Sequence, residues 1–287
     1  MIEIKNFSDL SLEEAQTFIG KENAVCVFNP NTQSKTKFYN LNEFIQTKEA
    51  VIDFFKDMPN ISKDTLNREM LIFSYVYTKL SQLVKYDDLA VKASMSTGYA
   101  RDMAEHLLDN AANAYGGLVL NTALCSGYSD TLKVLLESQG IKCKEIGGGS
   151  RTRGEKGGSH AWNQVCLDGK WYNCDLTNDC DFILEGLQAP YFLKNNVDFK
   201  RYEQYPPHNP EIVEQAIDTI SLELQEELIN NAKQMIEQEK QIKQERLACE
   251  QQEQEFKAKQ EKFNKLPKFV QKVCLVVAPK KFAGMER

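Results

Sequence analysis

Apolar side chains recur with a helical period through residues 64–84, at Leu66, Met70, Phe73, Tyr77, Leu80 and Val84. That stripe predicts a helix with one face in a core. Residues 100–114 have a helical pattern that ends at Gly116 and Gly117. Residues 125–139 repeat it with Tyr128, Leu132, Leu135 and Leu136, and Gly140 stands where a C-terminal cap belongs. The period then shortens to two. Ile141–Ile146, Ala161–Leu167 and Lys170–Leu176 alternate as strands, and Asp168 with Gly169 supplies a tight hairpin turn between the last two. Helices first and strands afterwards predict an α+β domain with an antiparallel sheet over residues 61–209.

Upstream, residues 1–60 read as a small mixed α/β segment. Ser11 and Glu14 have capping-box spacing and predict a short helix. Ala24–Phe28 and Thr36–Tyr39 are short strand candidates around the turn-forming Asn29, Pro30 and Asn31. Asn42 precedes an apolar-periodic stretch through Phe44, Ile45, Val51, Ile52 and Phe55.

Downstream, residues 210–265 carry no glycine or proline after Pro210 and are dense in Gln, Glu and Lys. Asn209 can cap a helix there, with Pro210 at its first position. If helical throughout 211–264, it would extend roughly 80 Å at the usual rise per residue. Leu228, Met235, Ile242, Cys249, Phe256 and Phe263 recur every seventh residue, half of a coiled-coil seam. The complementary positions, Ala232, Glu239, Arg246, Glu253 and Gln260, are mostly polar. Three readings stay open: a helix packed on its own domain, a self-association or partner-binding element, and a solvated arm. Residues 266–287 form a basic, apolar tail around Phe269, Val270 and residues 273–277, with Lys265, Lys268, Lys272, Lys280, Lys281 and Arg287. Docking on the body is the plainer reading; contact with an anionic surface is the other.

Composition narrows the class. The chain is 42% hydrophobic and 26% charged, which is that of a globular protein. A net charge of −6 gives no pull toward nucleic acid. No apolar run approaches the ~20 residues of a membrane span, so no integral membrane segment is expected. The start of the chain lacks a basic, apolar signal, which predicts a cytoplasmic protein, with signal-independent export left open. Eight cysteines occur without C-x-x-C spacing. Cys166, Cys174 and Cys180 lie near one another, but zinc sites draw on tighter pairs, so neither metal nor cofactor is expected. Most of these thiols read as small buried hydrophobes.

Three segments carry candidate chemistry. Cys125 lies in the first turn of the predicted helix, with Thr122 as a candidate cap. There the unpaired N–H groups and the positive end of the dipole favour a thiolate and could hold an oxyanion. Gly127 would leave room for a substrate backbone beside the sulfur. His160 starts a strand on which His160, Trp162, Gln164 and Cys166 share one face. Asp175, near the end of the next strand, could accept from one imidazole nitrogen and fix the tautomer.

The text Asn113 to Leu118 (NAYGGL), Leu124 to Tyr128 (LCSGY), Ser159 to Asn163 (SHAWN), Leu167 to Tyr172 (LDGKWY), Asp175 to Thr177 (DLT) and Tyr191 to Leu193 (YFL) resembles the bacterial branch of the transglutaminase-like superfamily. Lys85, Tyr86 and Asp87 after an amphipathic helix resemble that family's lead-in segment. The resemblance covers about residues 64 to 205. It implies a papain-like core in which a Cys helix packs against a sheet bearing His and Asp. It also implies Cys125 as nucleophile, His160 as base and Asp175 as the orienting group. Two departures stand out: Asn178 occupies a position where an aromatic is common, and the stretch from Gly147 to Gly158, with Arg151 and Arg153, is unusually rich in glycine. That stretch is not a phosphate loop, because no Gly-Lys-Ser/Thr ending follows and a strand comes next. It reads as a connection or a substrate-gating lid.

Such a triad attacks an amide carbonyl of a protein or peptide and forms a thioester. Water as acceptor gives a cysteine protease or, on glutamine, a deamidase; a lysine amine gives a transglutaminase. Protease-like hydrolysis is the expected activity. Peptide N-glycanase relatives share the triad, but their zinc-binding cysteine pairs do not occur here. A folded, inactive domain that binds proteins through its cleft and long helix is the reading from a different class.

Overall fold

The computed structural model describes residues 1–5, 7–18, 25–29, 34–38, 40–149, 158–202 and 206–271. The chain opens with strand β1 (Ile2–Ile4) and helix α1 (Leu12–Thr17), followed by strands β2 (Val25–Asn29) and β3 (Ser34–Phe38). β1 lies parallel to β2, and β3 antiparallel to it. The Ser11 capping box forms as expected. Ser11 Oγ accepts from the Glu14 N–H at 3.1 Å, and the Glu14 carboxylate accepts from the Ser11 N–H at 2.9 Å. Helix α2 (Leu41–Phe55) starts earlier than its apolar period suggests, because Asn40 rather than Asn42 caps it by accepting from the Glu43 N–H at 2.9 Å. Residues 30–31 of the expected turn, and the outer strand ends Ala24 and Tyr39, lie outside the described residues.

Helix α3 (Arg68–Leu83) buries Met70, Phe73, Tyr77 and Leu80, with Val84 just beyond it. Leu66 precedes the helix and is exposed, so the predicted stripe begins one turn too early. Strand β4 (Lys85–Tyr86) and three short helices, α4 (Asp88–Ser94), α5 (Tyr99–Met103) and α6 (Glu105–Ala111), come next. The continuous helix expected over 100–114 is thus two helices, broken at Ala104. The glycine pair that was to end it instead opens a π-helical turn, Gly116–Leu120. A side chain at Gly117 would collide with that of Thr131, and one at Gly116 would lie 2.8 Å from the Thr122 carbonyl oxygen. The glycines are there for close approach.

Strand β5 (Thr122–Ala123) leads into helix α7 (Cys125–Ser138). α7 ends in the expected glycine cap. The Gly140 N–H donates to the Glu137 carbonyl and the Ile141 N–H to that of Leu136, each at 3.0 Å, with Gly140 at φ +78°. Strands β6 (Cys143–Gly149), β7 (Ser159–Leu167) and β8 (Lys170–Cys174) form an antiparallel sheet in that order. Asp168 and Gly169 both take positive φ, 49° and 80°, as a two-residue type I′ turn requires. The Gly147–Gly149 stretch is strand rather than loop. At Gly148 a side chain would strike the Trp162 ring, at 2.5 Å, and the Pro206 carbonyl. Residues 150–157, including Arg151 and Arg153, lie outside the described residues.

Both faces of this sheet are covered. Val165, Leu167, Tyr172 and Cys174 join the main core, which α7, α3 and helix α8 (Leu176–Leu184) share with Phe38 and Phe44 of the N-terminal segment. On the other face Ile146 and Trp162 pack with Tyr191 and with Phe199 of helix α9 (Asn196–Tyr202). The long helix α10 (Leu222–Asn264) starts well after Pro210. Pro210–Ile212 is a single 3-10 turn, and 213–221 runs extended because its backbone groups find partners elsewhere. The Glu214 N–H donates to Gln164 Oε1 at 2.8 Å, and the Glu214 carbonyl accepts from Gln164 Nε2 and Asn196 Nδ2, each at 3.1 Å. Helical pairing over 213–221 would take the Glu214 N–H away from the buried Gln164 Oε1. At 43 residues α10 is about 65 Å long.

The chain divides into two compact units, Met1–Ile236 and Glu237–Arg287. In the first, Leu228, Ile229 and Ile236 of α10 are part of the main core. In the second, Ile242, Leu247 and Phe256 are partly exposed along the helix, whereas Phe263 is buried. Residues 272–287 of the basic tail lie outside the described residues. Among the described residues no helix is long and apolar enough to cross a membrane.

Candidate active site

The start of α7 is clamped by backbone on two sides. β4 and β5 pair in parallel, Lys85 with Thr122 and Tyr86 with Ala123. The Asp87 N–H then donates to the Ala123 carbonyl at 3.1 Å, and the Leu124 N–H donates to the Ala111 carbonyl at 2.7 Å. Tyr128 ties the next turn down through its hydroxyl, which donates to the Val84 carbonyl at 2.7 Å. Cys125 is the first residue of α7, with Leu124 in the cap position and no side chain capping the helix. Thr122 belongs to β5 and does not serve as the expected cap. Gly127 does not make room for substrate either. A methyl there would press on the Ala111 carbonyl oxygen and lie 2.9 Å from the Ala123 methyl, so this glycine lets α7 lie against the end of α6.

α7 is also fixed to the strand that bears His160. Ser129 Oγ donates to the Trp162 carbonyl, and Asn163 Nδ2 donates to the Ser129 carbonyl, both at 2.9 Å. His160 is the second residue of β7, with its ring 6.4 Å from that of Trp162 and nearly parallel to it. Asn163 pairs with Cys174 in the register of β7 and β8. One step further would set Asp175 opposite Trp162 and diagonal to His160, a separation that a ring and a carboxylate can bridge. β8 stops at Cys174, earlier than expected, and Asp175 serves as N-cap of α8.

Two of the three predicted residues are joined directly. His160 Nε2 donates to Asp175 Oδ2 at 2.8 Å. The Cys125 side chain lies close enough to the same imidazole to hold its proton more tightly. Asp175 is fully buried and Cys125 half-buried. A cavity of about 520 Å³ lies beside His160, lined by Tyr86, Tyr128, Thr177, Asn178 and Asp181 among others. Burial works against a charged imidazole, but hydrogen bonds to Asp175 and Cys125 and the negative charge on both outweigh it, raising His160 from 6.5 to about 10. Burial pushes up the thiols of Cys143, Cys174 and Cys180, the last to about 12. Those sulfurs are poor nucleophiles at neutral pH.

The raised imidazole sets a sign for stability. In the unfolded chain His160 titrates near 6.5 and in the folded chain near 10. Its protonated form therefore stabilises the fold fully below about pH 6.5, and that contribution is lost as pH rises through about 10. The urea-unfolding free energies of the wild type and His160→Gln should differ by a few kcal/mol at pH 6. The gap should close steadily toward pH 10; a gap independent of pH would contradict the ion pair.

Two further residues at the site escaped the sequence reading. Tyr86 borders the cavity, and burial followed by the charge of Cys125 raises its phenol. Its signal was its place two residues after the α3 stripe, in the lead-in motif. Asn178, seen in the sequence only as a departure from the family pattern, donates through Nδ2 to Asp175 Oδ2 at 2.7 Å.

Helix α7 packed on the antiparallel three-stranded sheet makes this an α+β protein with a transglutaminase-like core. Residues 62–176 match the family model of the transglutaminase-like superfamily, and the chain carries a domain of that superfamily. Cys125, His160 and Asp175 all fall inside the matched stretch. A solved structure described as "Crystal structure of a TGase" is similar to 47% of this chain at 17% identity, with a TM-score of 0.35. The similarity spans 32% of that protein's own length, about a third. No curated protein matches the sequence.

Proposed function

We propose that Cys125, His160 and Asp175 form a catalytic triad that cleaves an amide bond of a protein or peptide through a thioester. The observation that carries this reading is the 2.8 Å hydrogen bond from His160 to the buried Asp175, with Cys125 acting on the same imidazole. With the proton already on the His160 imidazole, the Cys125 thiolate attacks the carbonyl carbon. The oxyanion forms at the uncapped N–H end of α7. His160, held by Asp175, then gives its proton to the leaving amine, and the thioester remains on sulfur. In the second half His160 draws a proton from water, which attacks the thioester and frees the acid and the thiol. Water can reach the acyl group because Cys125 is only half-buried. Hydrolysis of the protease type is the outcome proposed, and a reaction that needs a free thiol suits the cytoplasmic location expected from the sequence.

The test separates the acceptors. A mixture of denatured proteins is incubated with the full chain, with and without a fluorescent primary amine, and products are read by mass spectrometry. New peptide termini would support hydrolysis. Amine incorporation would replace it with transamidation, and glutamine converted to glutamate with deamidation. No product of any kind, together with no preferential alkylation of Cys125 over the exposed Cys249, would overturn the triad and leave a binding module.

A further inference from the structure

We propose that Asn178 is a positioning residue that locks the Asp175 carboxylate in line with His160; this rests on the triad reading above. Asp175 is fully buried and cannot turn to water, so its orientation is decided by the donors around it. Its Oδ2 accepts from both His160 Nε2 at 2.8 Å and Asn178 Nδ2 at 2.7 Å. Its Oδ1 accepts from the Asn178 N–H at 3.3 Å, the long bond of an N-cap. Without the amide donor Oδ2 would lose one of the two side-chain donors described for it. The carboxylate could then rotate about its terminal torsion, which is broad and soft. A second donor on Oδ2 draws some charge away from the imidazole bond. Such mutual effects amount to about 10–30% of one bond. Loss of alignment forfeits most of that bond, since hydrogen bonds weaken steeply with angle. Orientation therefore wins, and losing the Asn178 amide should weaken the hold on the imidazolium.

The placement explains why this role falls to residue 178. Asp175 caps α8, and Asn178 sits in the first turn of that helix, so its N–H meets Oδ1 and its side chain folds back over Oδ2. The same residue lines the cavity beside His160. The other groups whose titration feels Asp175 are Tyr77 on α3, Tyr86 on β4, and Cys174, Asp179 and Cys180 near the turn into α8. Each of these feels Asp175 through its charge, whereas Asn178 donates to it directly at 2.7 Å.

The experiment follows the His160 ring by nitrogen NMR through a pH titration in the full chain, for the wild type, Asn178→Ala and Asn178→Leu. Alkylation of Cys125 by iodoacetamide is measured in parallel against Cys249, with His160→Ala as reference. Leucine keeps the volume of asparagine and removes the donor, so it decides the matter should the alanine variant lose its fold. The expected result is a His160 titration at least about one pH unit lower in both variants, a tenfold change in its protonation constant. A titration unchanged from the wild type in the folded variants would overturn the role of Asn178 while leaving the triad intact. Loss of fold in both variants would overturn it too, since the residue would then be structural. Equal labelling of Cys125 and Cys249 in the wild type would instead overturn the triad, and the NMR titration would still decide whether Asn178 orients Asp175.

Discussion

Cys125→Ala should abolish the burst of nitrophenolate, close to one equivalent per chain, that the wild-type chain is expected to release from a p-nitrophenyl ester. An activated ester reports acylation of the sulfur whatever the natural amide substrate, so this result does not depend on knowing the acceptor. The other described cysteines are poorly placed to substitute: Cys26, Cys143, Cys174 and Cys180 are buried, burial raises the thiol of Cys166, and Cys249 lies exposed on α10. His160→Ala should keep the burst amplitude and slow its rate by about 10²–10⁴, the usual range for loss of a general base. Asp175→Ala should act differently. With its carboxylate gone, burial acts on His160 opposed only by Cys125, and the imidazole titrates well below about 10. The rate should fall, and its pH profile should narrow on the alkaline side. Asp175→Asn keeps an acceptor oxygen for Nε2 and should lose less than Asp175→Ala. A burst that survives Cys125→Ala would remove the basis of the proposed function.

Gly127→Ala should destabilise the protein, against the direction that helix propensity gives. In an exposed helix the change would stabilise by about 1 kcal/mol, because glycine loses more backbone entropy on folding. Here the added methyl meets the Ala111 carbonyl oxygen and lies 2.9 Å from the Ala123 methyl. Both neighbours are immobile. The Ala111 carbonyl accepts from the Leu124 N–H at 2.7 Å, and Ala123 is paired with Tyr86. Overpacking of this kind costs about 1–3 kcal/mol or more, and it outweighs the propensity gain. Thermal unfolding should shift down by several degrees. Because α7 must move to relieve the contact, the burst rate at Cys125 should fall as well. A variant at least as stable as the wild type would show that α6 and α7 do not approach as closely as described.

How much of this was legible beforehand divides along a physical line. The burial of Met70, Phe73, Tyr77 and Leu80, the Gly140 cap, the Asp168 and Gly169 turn and the alternation of β7 all followed from local pattern. They hold because periodicity, caps and two-residue turns are set by neighbours within a few positions along the chain. The three candidate residues were also legible, since each lay in a motif with its own local context. Their meeting depended on strand register, which the hairpin turn determines.

What tertiary structure alone decided involves backbone brought from elsewhere. Gly127 reads as space for a ligand until Ala111 is seen against it, and the pair Gly116 and Gly117 reads as a stop until Thr131 and Thr122 are seen to require a close approach. Residues 213–221 have helical composition, yet the amides of Gln164 and Asn196 take their hydrogen bonds and delay α10 to Leu222. Asn178 differs from the family pattern in sequence, and only the folded turn aims its amide at the carboxylate that His160 shares. Local chemistry along the chain specified the elements and the reactive groups. Which glycine is spacing, which segment stays extended and which amide steadies the triad were decided by contacts between stretches far apart in sequence, where no local period or cap carries a signal.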